Sequence, residues 1–154
     1  MNQVIDNRSS VKANAKDLGV FHFQAILRDS KGNIKEQRDV FNTVTTAGKN
    51  MIADRLLASP TLGVPTHMAV GTGTGGTTSL NTETDRNALT SKTRSNAVVT
   101  MVGDWAAGDA TAALTEAGVF DASSSGNMHL YTTFAVINKG ATDTLSISWT
   151  LTIS

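Results

Sequence analysis

The chain has 154 residues, 40% of them hydrophobic but only 5% aromatic, with 13 Gly, 2 Pro and no Cys. That length suits one domain with a sizeable core, and the lack of Cys excludes disulfides and thiolate metal sites. Thirteen basic and 13 acidic residues cancel, with residues 1–58 at +3 and the remainder at −3, too slight an asymmetry for the clustered basic footprint of a nucleic-acid binder.

Residues 1–18 are polar, with Val4, Ile5, Val11 and scattered Ala as the apolar points. The start, Met1-Asn2-Gln3-Val4, lacks the apolar core of a signal peptide, and no apolar run is long enough to span a membrane. Synthesis and assembly in a cytoplasm is the resulting expectation. Such a segment cannot offset its own ordering entropy. It reads as an extended arm of roughly 60 Å, laid on a neighbouring subunit or on its own domain. Val4, Ile5 and Val11 are its candidate partner-binding residues. Residues 19–154 read as the folded domain.

Val20–Arg28 alternates, with Phe21, Phe23, Ala25 and Leu27 on one face, His22, Gln24 and Arg28 on the other, and Ile26 as the exception. Residues 29–33 supply a Gly-containing hairpin loop. Ile34–Val44 is a more charged strand suited to a sheet edge. Thr46–Ser59 is the good helix candidate, with Thr45 or Thr46 as cap and Pro60 beyond its end. Its wide apolar arc, Met51, Ile52, Ala53, Leu56 and Leu57, predicts packing against a sheet.

Thr66–Gly71 is a short apolar strand, followed by a flexible Gly/Thr-rich loop, Thr72–Ser79. Thr82–Leu89 reads as a single helical turn or an irregular link. Ala97–Trp105, Ala112–Phe120 and Met128–Ile137 read as strands, with a loop at 106–110 and a turn at 123–127. Residues 138–141 close the last hairpin. Leu145, Ile147, Trp149, Leu151 and Ile153 then alternate with Ser or Thr without a break. Short strands separated by Gly/Ser/Asn turns predict a mainly β, antiparallel sandwich or jelly roll with one short helix. There is no internal repeat.

Gly71-Thr72-Gly73-Thr74-Gly75-Gly76 matches G-x-G-x-x-G formally. A dinucleotide site also needs a helix opening at the third Gly and an acid about 20 positions on, where Asn96 stands. A P-loop fails because Thr77 occupies the Lys position. His22, His67 and His129 lack ligand spacing. His22 is expected to face solvent, and the other two to sit at strand beginnings. Glu116 and Asp121, five apart in a strand, are expected on opposite faces, and Glu83 and Asp85 are expected to be solvated. No nucleophile elbow accompanies the many Ser residues. No catalytic, metal or cofactor-binding residue is therefore assigned. Phe134 and Trp149 are expected in the core. Trp105, flanked by Gly103-Asp104 and Ala106-Ala107-Gly108, is expected to be an exposed ring and is the fourth candidate partner-binding residue.

Several segments carry a family resemblance in order: Arg28–Asn33, Phe41–Gly48, Ala53–Leu57, Met68–Gly73, Thr84-Asp85-Arg86, Leu114–Ala122, Phe134 with Ile137-Asn138-Lys139, and Leu145–Trp149. Over about residues 20–154 the chain resembles small β-rich virion proteins of tailed bacteriophages. Some of these are capsid cement or decoration proteins, and similar domains occur in tail and fibre components. The resemblance implies a structural, non-enzymatic role in a virion, most simply on the capsid surface. The implied partners are the major capsid protein and copies of the chain itself, with no nucleic acid, membrane or cofactor. A tail, fibre or baseplate adaptor, or a glycan- or receptor-binding module using Thr72–Ser79 or Trp105, are the alternatives.

Overall fold

The computed structural model describes residues 19–153. In chain order they form β1 (Val20–Arg28), β2 (Ile34–Phe41), β3 (Thr43–Val44), α1 (Thr46–Asp54), β4 (His67–Gly71), β5 (Glu83–Ala88), β6 (Ser91–Ser95), β7 (Val98–Trp105), β8 (Ala112–Phe120), β9 (Met128–Lys139) and β10 (Thr144–Thr152). One five-stranded sheet has the order β2-β1-β10-β7-β6 and the other β3-β9-β8-β4-β5, all pairs antiparallel. The two pack face to face as a β-sandwich.

Alternation places the core. Phe21, Phe23, Ala25 and Leu27 of β1 are all buried, opposite Leu151, Trp149, Ile147 and Leu145 of β10. Phe23 stacks on Phe134 of β9 with ring centroids 5.1 Å apart and meets Trp149 edge-on at 5.1 Å. That aromatic trio joins the sheets, and burying each ring stabilises by about 1.5–3 kcal/mol. Phe134 and Trp149 thus occupy the core as expected.

Ile34–Val44 is two strands rather than one. β2 is an edge of the first sheet, and beyond Asn42 the short β3 pairs with β9 in the second. Thr45 then caps α1, its Oγ1 accepting from the Gly48 N–H at 3.0 Å and donating to the Met128 and His129 carbonyls. A Cβ at position 48 would run into the His129 carbonyl, so glycine lets the helix lie directly on β9.

The helix ends at Asp54, five residues short of Ser59. Asp54 is buried, and its carboxylate accepts from the Leu62 N–H at 3.0 Å and the Thr61 N–H at 3.0 and 3.1 Å. This folds residues 55–62 back against the helix end. Those N–H donors, Leu62 foremost, hold its carboxyl below the ordinary aspartate range.

Residues 83–88 form a strand, correcting the expected helical turn or irregular link, and β6 is a strand that the pattern did not reveal. Both are polar sheet edges, where charged side chains are tolerated. Arg86 fixes β5: its guanidinium lies 3.6 Å from the Phe120 ring centroid, pairs with Glu83 at 2.7 Å, and donates to the Ala122 and Ser125 carbonyls. Lys92 tethers β6 by donating to the Pro65 carbonyl at 2.7 Å. The final strand is as expected, but β9 runs on to Lys139, so the last turn starts two residues later.

Candidate functional site

Three places concentrate unusual chemistry, and the first is the Gly/Thr-rich loop. The β8–β9 register shifts between Leu114 and Glu116. Leu114 pairs with Ile137 and Glu116 with Thr133, so β9 carries two residues more than β8 across the irregularity; Leu114 and Ala117 of β8, like Phe134 and Ile137 of β9, join the inter-sheet core despite their odd spacing. Glu116 is turned to the outer face, where Ala69, Leu80, Phe120 and Met128 form a second small cluster flanked by Tyr131. The loop folds over this face.

Glu116 is fully buried and binds the loop from beneath. Its Oε1 accepts from the Thr82 N–H at 2.8 Å and the Gly73 N–H at 3.2 Å; Oε2 accepts from the Tyr131 hydroxyl at 3.0 Å and the Asn81 N–H at 3.2 Å. Thr115 donates to the Gly73 carbonyl at 2.8 Å, and the Tyr131 oxygen accepts from the Gly76 N–H at 2.9 Å. Burial, and the neighbouring carboxylate, push the Tyr131 phenol up.

The loop is therefore tied down, which corrects the expectation of a flexible one. It is also unsuited to phosphate. A phosphate cradle needs free backbone N–H groups, and Glu116 has taken those of Gly73, Asn81 and Thr82 while placing a carboxylate beneath them. What the loop offers to solvent is hydroxyls: Thr72, Thr74, Thr77, Thr78 and Ser79 are exposed.

The second place is an apolar groove of about 390 Å³ at the end of the sandwich where β1 begins and β10 ends. Phe21, Leu151 and Ile153 form one side, Met51, Ile52 and Leu56 of the helix region another, and Val64, Met101 and His129 complete it. Among the lining residues Leu56 is 89% exposed, and Ile153 and Val64 are also exposed.

His129 is 1% exposed, and neither ring nitrogen makes a hydrogen bond of ordinary geometry. Its Nε2 is 3.6 Å from Asp121 Oδ2. Burial pulls its pKa down, and the Asp121 charge offsets only part of that. Asp121 in turn ties the 121–127 turn, accepting from the Asn127 N–H at 2.7 Å and side-chain amide at 3.0 Å.

The third place is Trp105. It is 1% exposed and lies in the inter-sheet core, so it is not the exposed ring expected of a partner-binding residue. The flanking small residues are there because β7 ends at Trp105, its side chain turned inward while Asp104 and Ala106 face out. Period-two orientation, continued from Met101 and Gly103, was the available signal. Val4, Ile5 and Val11 lie outside the described residues.

His22 faces solvent beside Asp39, 3.2 Å away, and His67 begins β4 with its Nδ1 2.9 Å from Thr66 Oγ1. Glu83 is engaged with Arg86. Among the described residues, no group of three His, Asp or Glu could hold a metal ion. Sequence reasoning missed two buried ionic groups. Lys139, 2% exposed, donates to the Ala106 and Asp143 carbonyls at 2.9 and 2.7 Å; Asp143 accepts from Lys35 at 2.7 Å and the Gly140 N–H at 2.8 Å.

No protein family, curated protein or solved structure matches this chain.

Proposed function

We propose that the chain is a structural protein of a bacteriophage virion, a capsid cement or decoration protein that binds the major capsid protein and bridges neighbouring subunits. One observation supports this reading. The buried charges Asp54, Glu116, Lys139 and Asp143 are all bonded to loop or turn backbone. They serve to fix loops on a rigid sandwich rather than to wait for a substrate. The segments carrying the phage resemblance include three of these four, Asp54 in 53–57, Glu116 in 114–122 and Lys139 in 137–139. A shell strained by packaged DNA gains from a rigid domain that binds only the assembled form, because such binding stabilises by mass action. Many copies add multivalent strength.

Gold-labelled antibody on intact virions tests the location. Dense labelling over the head is expected. Label confined to the tail would replace this reading with a tail, fibre or baseplate adaptor. In a second measurement, purified protein added to shells lacking it should raise their melting temperature. At 100 times Kd the gain is about 2.7 kcal/mol per site; no shift would refute the cement role.

A second reading, glycan or receptor binding, is favoured by the tied-down hydroxyl tip at 72–79. A rigid hydroxyl-rich loop loses little entropy on binding a polyhydroxyl ligand. A glycan array without hits, and unchanged host attachment in a Thr77→Ala/Thr78→Ala variant, would remove it.

A further inference from the structure

We infer that β2 is the contact surface for a second copy of this chain, which adds its own β2 antiparallel across a two-fold axis at Gln37 and joins two five-stranded sheets into one of ten strands. The inference concerns the isolated protein and does not rest on the virion reading.

The first argument is the open edge. β2 pairs with β1 on one side and has no strand on the other among the described residues. The Asn42 N–H donates to the Phe21 carbonyl at 3.2 Å, which fixes the phase of the ladder. Residues 36, 38, 40 and 42 therefore turn their backbone groups toward β1, while Gln37, Asp39 and Phe41 turn theirs outward. An outward row of N–H and C=O groups is a template for a further strand.

The second argument is charge. Charged side chains ordinarily keep an edge unpaired. In a two-fold antiparallel pair the residue on the axis faces itself, so an axis at Lys35, Glu36, Arg38 or Asp39 sets like charges together. Gln37 is the uncharged position among them. With the axis there, Glu36 lies opposite Arg38 of the second copy and Lys35 opposite Asp39, each twice over. Glu36 and Arg38 then occupy the non-hydrogen-bonded positions, where side chains approach most closely. Both are already held in place. Arg38 pairs with Glu36 of its own strand at 2.7 Å and donates to the Ala135 carbonyl at 2.9 Å, and the Asn138 N–H donates to Glu36 at 3.1 Å. Lys35 is the residue inserted at the β1–β2 irregularity and is bonded to Asp143 at 2.7 Å, so positions 36 and 38 carry the selection. The opposite edge of the same sheet, β6, is built the other way. An axis at Thr93 sets Lys92 against Arg94, and an axis at either of those sets it against itself.

The third argument is the apolar ends. Phe41 is 77% exposed and Ile34 53% exposed. Phe41 pairs with His22 and Ile34 with Arg28, so both lie on the outer face of the sheet. With the axis at Gln37, Phe41 falls opposite position 33 of the second copy, beside its Ile34. The register that matches the charges thus also brings together the two apolar side chains that a single copy leaves bare.

Sedimentation equilibrium of the full chain from about 10 µM to about 1 mM should show monomer and dimer, with a dissociation constant of the order of 100 µM for so short an edge. Gln37→Lys puts two cations on the axis and should weaken the dimer about tenfold. Glu36→Arg should do the same, and adding Arg38→Glu should restore it, because the exchanged charges again face each other. The near-ultraviolet signal of the buried Trp residues checks that each variant is folded. A chain that stays monomeric, a dimer that Gln37→Lys leaves intact, or growth past the dimer would overturn the inference. A second measurement exploits the absence of native Cys. In Gln37→Cys the paired Cα atoms are about 5.5 Å apart, within disulfide reach. In Asp39→Cys the thiols sit four residues out of register, more than about 13 Å apart. Mild oxidation should give about tenfold more linked dimer with Gln37→Cys than with Asp39→Cys. Equal yields would refute the register.

Discussion

Replacing Glu116 by Ala removes the carboxylate beneath the 72–82 loop and leaves three backbone N–H groups and the Tyr131 hydroxyl without this acceptor. An orphaned buried donor costs about 1–3 kcal/mol. Residues 81 and 82 are exposed, so water can reach part of the vacated site, and the lower end applies. The expected loss is about 4 kcal/mol, or roughly 12 °C in Tm for a domain of this size. Glu116→Gln separates charge from geometry. Its amide oxygen still serves the Gly73 and Thr82 N–H groups, but its NH₂ faces the Asn81 N–H donor to donor, while Tyr131 can reorient to accept. About half the loss, about 2 kcal/mol, is expected. Urea unfolding followed by fluorescence of the buried Trp105 and Trp149 measures both, and amide exchange at Gly73, Asn81 and Thr82 should accelerate in step. A Glu116→Ala loss below about 1 kcal/mol, or equal losses for Ala and Gln, would refute this account of the loop.

His129 should impose a pH dependence on stability. Burial lowers its pKa in the fold below the unfolded value of 6.5, so the unfolded chain takes up the proton first and stability falls as pH drops below about 6.5 until the folded ring also titrates. Urea midpoints between pH 5 and 8 should lose that slope in His129→Leu, and an identical slope in both proteins would contradict the assignment. Trp105→Ala should cost about 3–5 kcal/mol through the cavity it leaves between the sheets; a folded, equally stable variant would restore Trp105 to the surface. Gly48→Ala should force α1 away from β9, because the added methyl meets backbone rather than a movable side chain, and should lower Tm despite the better helix propensity of Ala. A rise in Tm would show that the helix stands off the sheet.

The elements legible in advance were those whose pattern and burial agree. β1, apart from Ile26, and β10 alternate in sequence because one face of each is sealed by the opposite sheet. β5 and β6 were illegible because they are edges: Glu83–Ala88 and Ser91–Ser95 bury little, so no apolar period marks them, and tertiary contacts of Arg86 and Lys92 hold them in place. The helix end was overestimated because Leu56 and Leu57 continue the apolar arc while Asp54, a residue with no helical warning in its spacing, captures the N–H groups of 61 and 62. At the candidate sites, the sequence argument against a nucleotide loop at G-x-G-x-x-G rested on spacing alone; the carboxylate that occupies the loop's N–H groups in three dimensions is Glu116. It lies in another strand, at an irregularity of the β8–β9 register. The same period-two logic, applied through Met101 and Gly103 to Trp105, would have put that ring inside. Its small, flexible neighbours argued for a loop instead.

The centre of the first sheet is made by β1 and β10, whose register pairs Val20 with Thr152 and Arg28 with Thr144. This central strand pair is thus closed by residues from opposite ends of the described chain. Such non-local pairing incurs its loop-closure entropy before any contact rewards it, which places this protein among slow folders, in milliseconds to seconds. Until β10 is synthesised, β1 and β7 each present an open apolar edge to other nascent chains. The chain must therefore be synthesised through β10 before its central sheet can close. The more slowly β10 finds its place between those two edges, the longer they stay open to other chains.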